Sequence, residues 1–178
     1  IKSLAGKGAW MMMQRSFKKE VTDEKIKKEM TIEFIDYYSK NIANDSRPFE
    51  GLFEFLEWAK SKNISMAVCT NKQEKLAIDL LKKLKLFNYF EYVAGSDTFN
   101  YNKPDPRHLT DVVEIIGGNL KKTIMVGDSE VDEMAATNAK LPFILVADGY
   151  TEKTVKQIKH DVLIKDYVGF DKIISKYL

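Results

Sequence analysis

Cysteine is almost absent from this chain, since 178 residues hold one, Cys69. A lone thiol excludes an internal disulfide and fits a reducing compartment, so a cytoplasmic location is expected. Within the apolar segment "SMAVC" it reads as a small buried hydrophobe. Long apolar runs are missing too: no stretch approaches the roughly 20 residues that span a bilayer, and no charged-then-apolar leader stands at the start. No membrane association is expected. Neither sign of charge dominates, with 28 basic against 26 acidic residues for a net charge of +2, and both signs are scattered. That leaves no electrostatic footprint for nucleic acid or anionic lipid. Histidine is scarce as well. His108 and His160 have no second ligand at metal-binding spacing, so both read as structural or exposed residues. Finally, the chain opens at Ile1 and not at methionine, in what reads as the middle of an element. It is expected to be N-terminally incomplete.

What is present is an ordinary globular composition, 44% hydrophobic and 30% charged, enough for one domain with a smaller appendage. Residues 1–42 carry only helical patterns, with Ile26, Met30, Phe34 and Tyr37 at three- and four-residue spacing. Thr22, followed by Asp23 and Glu24, is a plausible helix start. Trp10, Trp58 and the run Met11, Met12, Met13 read as packing residues. The small, polar, proline-bearing stretch "ANDSRPFEG", Ala43 to Gly51, is the best boundary, and it divides the chain into residues 1–46 and 47–178. Beyond it, helical patterns alternate with short apolar runs: "ISMAVCT", "YFEYVAGSD", "TIMVGD", "PFILVADG" and "VLI". Helices are expected over Leu52 to Ala59, over Glu74 to Leu84, after Pro106, around Val131 and Met134, near Glu152 to Ile158, and at the C-terminus. Such alternation predicts an α/β fold, a parallel sheet with helices on both faces.

In open parallel sheets, ligands bind beyond the carboxyl ends of the strands. Thr70, Lys103 and Asp128 all fall there. Thr70 with Asn71 offers a hydroxyl and backbone amides for a phosphate, or alternatively a helix cap. Lys103 stands in "NKPDP", where Asp105 can cap a helix and Pro106 occupy its first turn. Asp128 and Asp132 lie one helical turn apart. Two carboxylates so close repel unless a cation sits between them. Oxygen ligands of this kind suit a hard divalent ion such as Mg²⁺. Gly95, Ser96 and Asp97 are placed on the same rim, Asp97 as a turn former.

The order "VCTN", "NKPDP", "MVGDSEVD" resembles the haloacid dehalogenase superfamily, and most closely its phosphoglycolate phosphatase branch. The resemblance covers nearly the whole chain and implies a Rossmann-like core over 47–178 with the remainder of a helical cap over 1–46. It implies that Thr70, Lys103 and Asp128 are catalytic, that Asp128 and Asp132 hold Mg²⁺, and that Thr70, Asn71 and Lys103 bind the substrate's phosphate. Lys7, in "GKG", could meet a substrate carboxylate or phosphate, or be only a surface lysine in a turn. A small phosphorylated metabolite, 2-phosphoglycolate first, is the implied substrate. The resemblance also implies something missing. The family's central strand ends in an Asp-x-Asp motif whose first aspartate attacks phosphorus, and no such motif occurs here. That strand would sit between the one ending at Thr70 and the one ending at Asp128, so its absence should open a slot, and the chain alone should be inactive. Other readings stay open: a different phosphomonoester, pyrophosphate or a mutase substrate, or a catalytically silent scaffold. A signalling receiver domain is disfavoured, because its acidic pair precedes the Thr and Lys.

Overall fold

The computed structural model describes residues 9–17, 22–149 and 151–177, with side chains from residue 12 onward. Lys7, its flanking glycines and Trp10 therefore lie outside the described residues or side chains. Two helices come first, α1 (Ala9–Ser16) and α2 (Glu24–Lys40), packed on each other. The cap of α2 is Asp23, not Thr22: its Oδ1 accepts from the amides of Lys25 at 2.8 Å and Ile26 at 3.3 Å. A carboxylate there satisfies free amides and also meets the helix dipole.

From α3 (Leu52–Ser61) the expected alternation follows: β1 (Ala67–Cys69), α4 (Glu74–Lys83), β2 (Tyr92–Ala94), α5 (Arg107–Ile115), β3 (Met125–Gly127), α6 (Glu130–Ala139), β4 (Phe143–Val146), β5 (Val162–Ile164) and α7 (Phe170–Ile174). The helix expected near Glu152 to Ile158 is only a 3-10 turn, Val155–Gln157. Its apolar residues, Val155 and Ile158, lie three apart and can anchor one turn but not a stripe.

All strand pairs are parallel, yet the sheet is in two pieces. One holds β1 and β2, the other β3, β4 and β5 in that order. Cys69 pairs with Ala94 at the end of the first piece, and Gly127 with Leu145 near the end of the second. Among the described residues no strand joins the two pieces. Helices hold the halves together: α5 packs on β1 and β2, α6 on β3 and β4, and α5 on α6.

The core is built around β4, whose four residues are all buried. Alternation along the strand sends Phe143 and Leu145 to a layer with Leu109, Ala135, Ala136 and Ile158. Ile144 and Val146 go to the opposite layer with Ile164, Phe170 and Ile174, where Trp58 packs as expected. On β5, Leu163 is 46% exposed, which marks β5 as the outer strand of its piece. No helix among the described residues is long and apolar enough to cross a membrane.

Candidate functional site

The carboxyl ends of β1 and β3 open into a cleft of about 520 Å³. Its floor descends between the two sheet pieces, lined by Cys69 on one side and by Met125, Val126 and Gly127 on the other. Its rim carries Thr70, Asn71, Lys103, Asp128, Ser129 and Asp132, and α1 and α2 add Met12, Phe34 and Tyr38. The cleft thus collects Thr70, Asn71, Lys103, Asp128 and Asp132, whereas Gly95, Ser96 and Asp97, expected on the same rim, do not line it, and Lys7 lies outside the described residues.

Lys103 crosses the gap. It is 8% exposed, and its Nζ donates to the Cys69 carbonyl at the end of β1 and to Asp132 Oδ1 on α6, both at 2.6 Å. The Lys103–Pro104 peptide bond is cis. Asn71 Nδ2 donates to the Lys103 carbonyl at 2.9 Å, so the loop after β1 also fixes the lysine's backbone. Lys103 is thus no solvent-facing lysine: it is a buried cation held over the slot.

The two aspartates divide their labour. Asp132 is 4% exposed, and both its oxygens are engaged. Oδ1 takes the Lys103 ammonium, and Oδ2 accepts from Ser129 Oγ at 2.7 Å and from the amides of Asp128 and Ser129, each at 3.1 Å. Burial alone would raise its pKa, but Lys103, Ser129 and the Asp128 amide outweigh that and hold the carboxyl below its usual range. Ser129 and Asp132 also form the capping box of α6, so a helix start and an ion pair share one carboxylate. The cation that the acidic pair calls for is in part Lys103 itself.

Asp128 follows β3 directly and lines the cleft. Its side chain lies so close to Gly149 that a Cβ there would come within 2.2 Å of the Asp128 Cβ. Tyr167 is packed among Phe49, Phe55 and Phe170. Burial, and then the charge of Asp128, push its hydroxyl up to about 12. Among the described residues no group of three or more His, Cys, Asp or Glu is placed to hold a metal ion. The donors nevertheless fit magnesium, which is typically held by one or two carboxylates, waters and substrate phosphate oxygens. Asp128 is the carboxylate facing the cleft, with Asp132 as its brace.

Thr70 is not the cap of α4. Its amide continues the ladder to the Ala94 carbonyl at 2.9 Å, and its Oγ accepts from the Lys72 amide at 3.1 Å. The cap comes instead from across the sheet end: Asp97 Oδ1 accepts from the Glu74 amide at 2.8 Å. Asp97 is therefore more than a turn former. His108 is fully buried, with Nε2 3.1 Å from the Gly95 carbonyl, and is structural. His160 Nδ1 lies 2.7 Å from the Ile158 carbonyl. The Cys69 thiol donates to the His108 carbonyl at 3.5 Å, and burial pushes it up to about 11.

Sequence reasoning missed Ser129, Gly149, Tyr167, Lys72 and Tyr38. Ser129 was legible, since Ser-x-x-Asp is a capping-box pattern. The others act through contacts between distant segments, which leave no local signal.

The family model of haloacid dehalogenase-like hydrolases matches residues 1–146. A phosphoglycolate phosphatase of Agrobacterium fabrum is 39% identical over 97% of this chain and 77% of its own length. One from Caulobacter vibrioides is 34% identical over 97% and 73%, and one from Mesorhizobium japonicum is 37% identical over 75% and 59%. Among solved structures, a predicted phosphoglycolate phosphatase of Haemophilus somnus superposes with a TM-score of 0.90 at 27% identity, covering 97% of this chain and 80% of that one. A β-phosphoglucomutase of Clostridium difficile, at 22% identity and a TM-score of 0.77, shares the fold over 99% of this chain and 79% of its own.

Proposed function

This chain belongs to the haloacid dehalogenase-like hydrolase family, and from that premise we propose that it serves a magnesium-dependent phosphomonoester hydrolase acting on 2-phosphoglycolate. The observation that carries the reading is the convergence on one cleft of Thr70, Lys103 and Asp128, from three separate loops at the strand ends. The substrate rests on the names of the relatives, several of which are phosphoglycolate phosphatases.

The roles follow from the contacts. The Thr70 hydroxyl and the amides behind it hold phosphate oxygens at the end of β1. Lys103, fixed by Asp132 and the Cys69 carbonyl, presents a preorganised positive charge to oxygens that gain negative charge in the transition state. Asp128 would hold magnesium, which when bound supplies neutralisation of phosphate charge and alignment of the attacking and leaving groups. Asp132 holds the Lys103 ammonium and the Asp128 backbone in place. The attacking carboxylate would come from an Asp-x-Asp strand between β1 and β3: it displaces glycolate from phosphorus, the motif's second aspartate protonating the leaving oxygen, and water then cleaves the aspartyl-phosphate to inorganic phosphate and the free carboxylate. The helices of residues 1–46 act as a cap over the cleft.

Phosphomonoester hydrolysis is among the slowest uncatalysed reactions, with accelerations reaching about 10²¹-fold. Without that nucleophile, these 178 residues alone should give no turnover. The test joins this chain to the Asp-x-Asp strand segment of the Agrobacterium fabrum relative and follows phosphate release from 2-phosphoglycolate, glucose 1-phosphate, AMP and pyrophosphate. Expected is release fastest from 2-phosphoglycolate, abolished by EDTA and by Asp128→Asn. Release untouched by EDTA would remove magnesium from the reading. Equal rates on all four substrates would remove the specificity, and none on any would leave a silent scaffold.

A further inference from the structure

Lys72 stands two residues beyond the phosphate seat and is clamped by its backbone from both sides. Its amide donates to Thr70 Oγ at 3.1 Å, and its carbonyl accepts from the Ser96 amide at 2.9 Å. The side chain reaches out of this fixed base toward α2. There Nζ donates to the Tyr38 hydroxyl at 2.7 Å and lies 4.3 Å from the centre of the same ring. Both residues are half-buried and line the cleft. Tyr38 is itself steadied by stacking on Phe34, with ring centres 6.3 Å apart.

The contrast with Lys103 is one of partners. Lys103 is ion-paired with Asp132 within the protein. Lys72 makes no ion pair with any carboxylate among the described residues. An ammonium has three N–H donors, and here one is spent on a neutral phenol. A cation–π contact holds the side chain without cancelling its charge. The result is a positioned positive charge at the junction of the β1–α4 loop and α2, with donors to spare, in the same cleft as the phosphate seat. Lys72 and Tyr38 line the same cleft as Thr70 and Lys103, so one small ligand can meet both ends of it.

We infer that Lys72, held by Tyr38, is the residue that recognises a second anionic group on the substrate, a carboxylate, and so selects phosphorylated small acids over uncharged phosphate esters. The inference rests on the phosphomonoester reading and adds to it the residue that sets the substrate class. Tyr38 is a positioning residue: it aims the ammonium and ties recognition of the far end of the substrate to the contact between α2 and the sheet end.

The test is calorimetric titration of this chain with 2-phosphoglycolate and with ethyl phosphate, which matches it in size but lacks the carboxylate. Variants are Lys72→Met, Tyr38→Phe and, as a control on the exposed face of α4, Lys75→Met. The wild type should bind 2-phosphoglycolate more tightly than ethyl phosphate. Lys72→Met should weaken 2-phosphoglycolate by on the order of tenfold to a hundredfold, as expected for a charge-assisted hydrogen bond, and leave ethyl phosphate within about twofold. Tyr38→Phe should lower affinity for 2-phosphoglycolate alone, and Lys75→Met should change neither. Equal affinity of the wild type for both compounds overturns the inference and leaves the phosphate site standing. Equal loss of both in Lys72→Met also overturns it, by making Lys72 a phosphate or structural residue. A wild type that binds neither compound overturns the phosphate seat along with it.

Discussion

At the scale of the residue, the centre of the site is one buried ion pair with a shared helix cap. Removing one partner of such a pair leaves an uncompensated charge and costs about 3–5 kcal/mol, so Asp132→Ala should fall in that range in urea unfolding at pH 7. The pH dependence has a definite sign. Because the folded pKa of Asp132 is depressed, its contribution is present above the unfolded carboxylate value near 4 and is lost as pH falls through the lower folded value. The stability gap between wild type and the Lys103→Met, Asp132→Asn double variant should therefore narrow below about pH 4, read from urea midpoints at pH 7, 5 and 3. A gap that stays constant to pH 3 would deny the linkage. For Cys69, a thiol pushed up from 9.0 to about 11 carries about 100-fold less thiolate at pH 8, and the thiolate is the reactive form. Its reaction with an aromatic disulfide reagent should be slower by at least that factor in the folded chain than in urea. Thr70 and Asp128 were legible because each directly follows a strand-like run, and Asp132 because it lies one helical turn beyond Asp128. The bond from Lys72 to Tyr38 was not, because it joins residues 34 positions apart and neither carries a motif.

At the scale of the element, short strands were found at every apolar run, since burial on both faces demands continuous apolar sequence. What failed was detail set by individual hydrogen bonds. Thr22 and Asp23 are both good caps, and only the chain's path into α2 decides between them. The stretch after Glu152 has helix-forming residues without a second turn of apolar contacts, so tertiary packing halts it at a 3-10 turn. Helix α4 borrows its cap from Asp97, 23 residues away in sequence, which no local pattern announces. Asp97→Ala should cost about 1 kcal/mol, typical of a lost cap, measured by thermal unfolding. In β4, Ile144 is fully buried. Ile144→Ala should cost about 2–5 kcal/mol through lost burial and a cavity, well beyond the Asp97 effect.

At the scale of the whole molecule, the two-piece sheet is the feature that organises the rest. Residues of β1 and β3 line the same cleft but belong to separate sheets among the described residues, and unpaired strand edges are a template for a further strand. The gap was legible as a consequence of family resemblance. Composition and periodicity could not reveal it, because they describe the segments that are present and not the order in which strands lie side by side. The structure adds that Lys103 bridges the gap at its upper end and that α5 on α6 closes one side of it. The most direct measurement is hydrogen–deuterium exchange of this chain with and without the Asp-x-Asp strand segment of the Agrobacterium fabrum relative. If the slot seats that strand and with it the third carboxylate, amides of Ala67–Cys69 and Met125–Gly127 should gain protection together. Protection unchanged in both, or gained in only one, would contradict a strand lying between them.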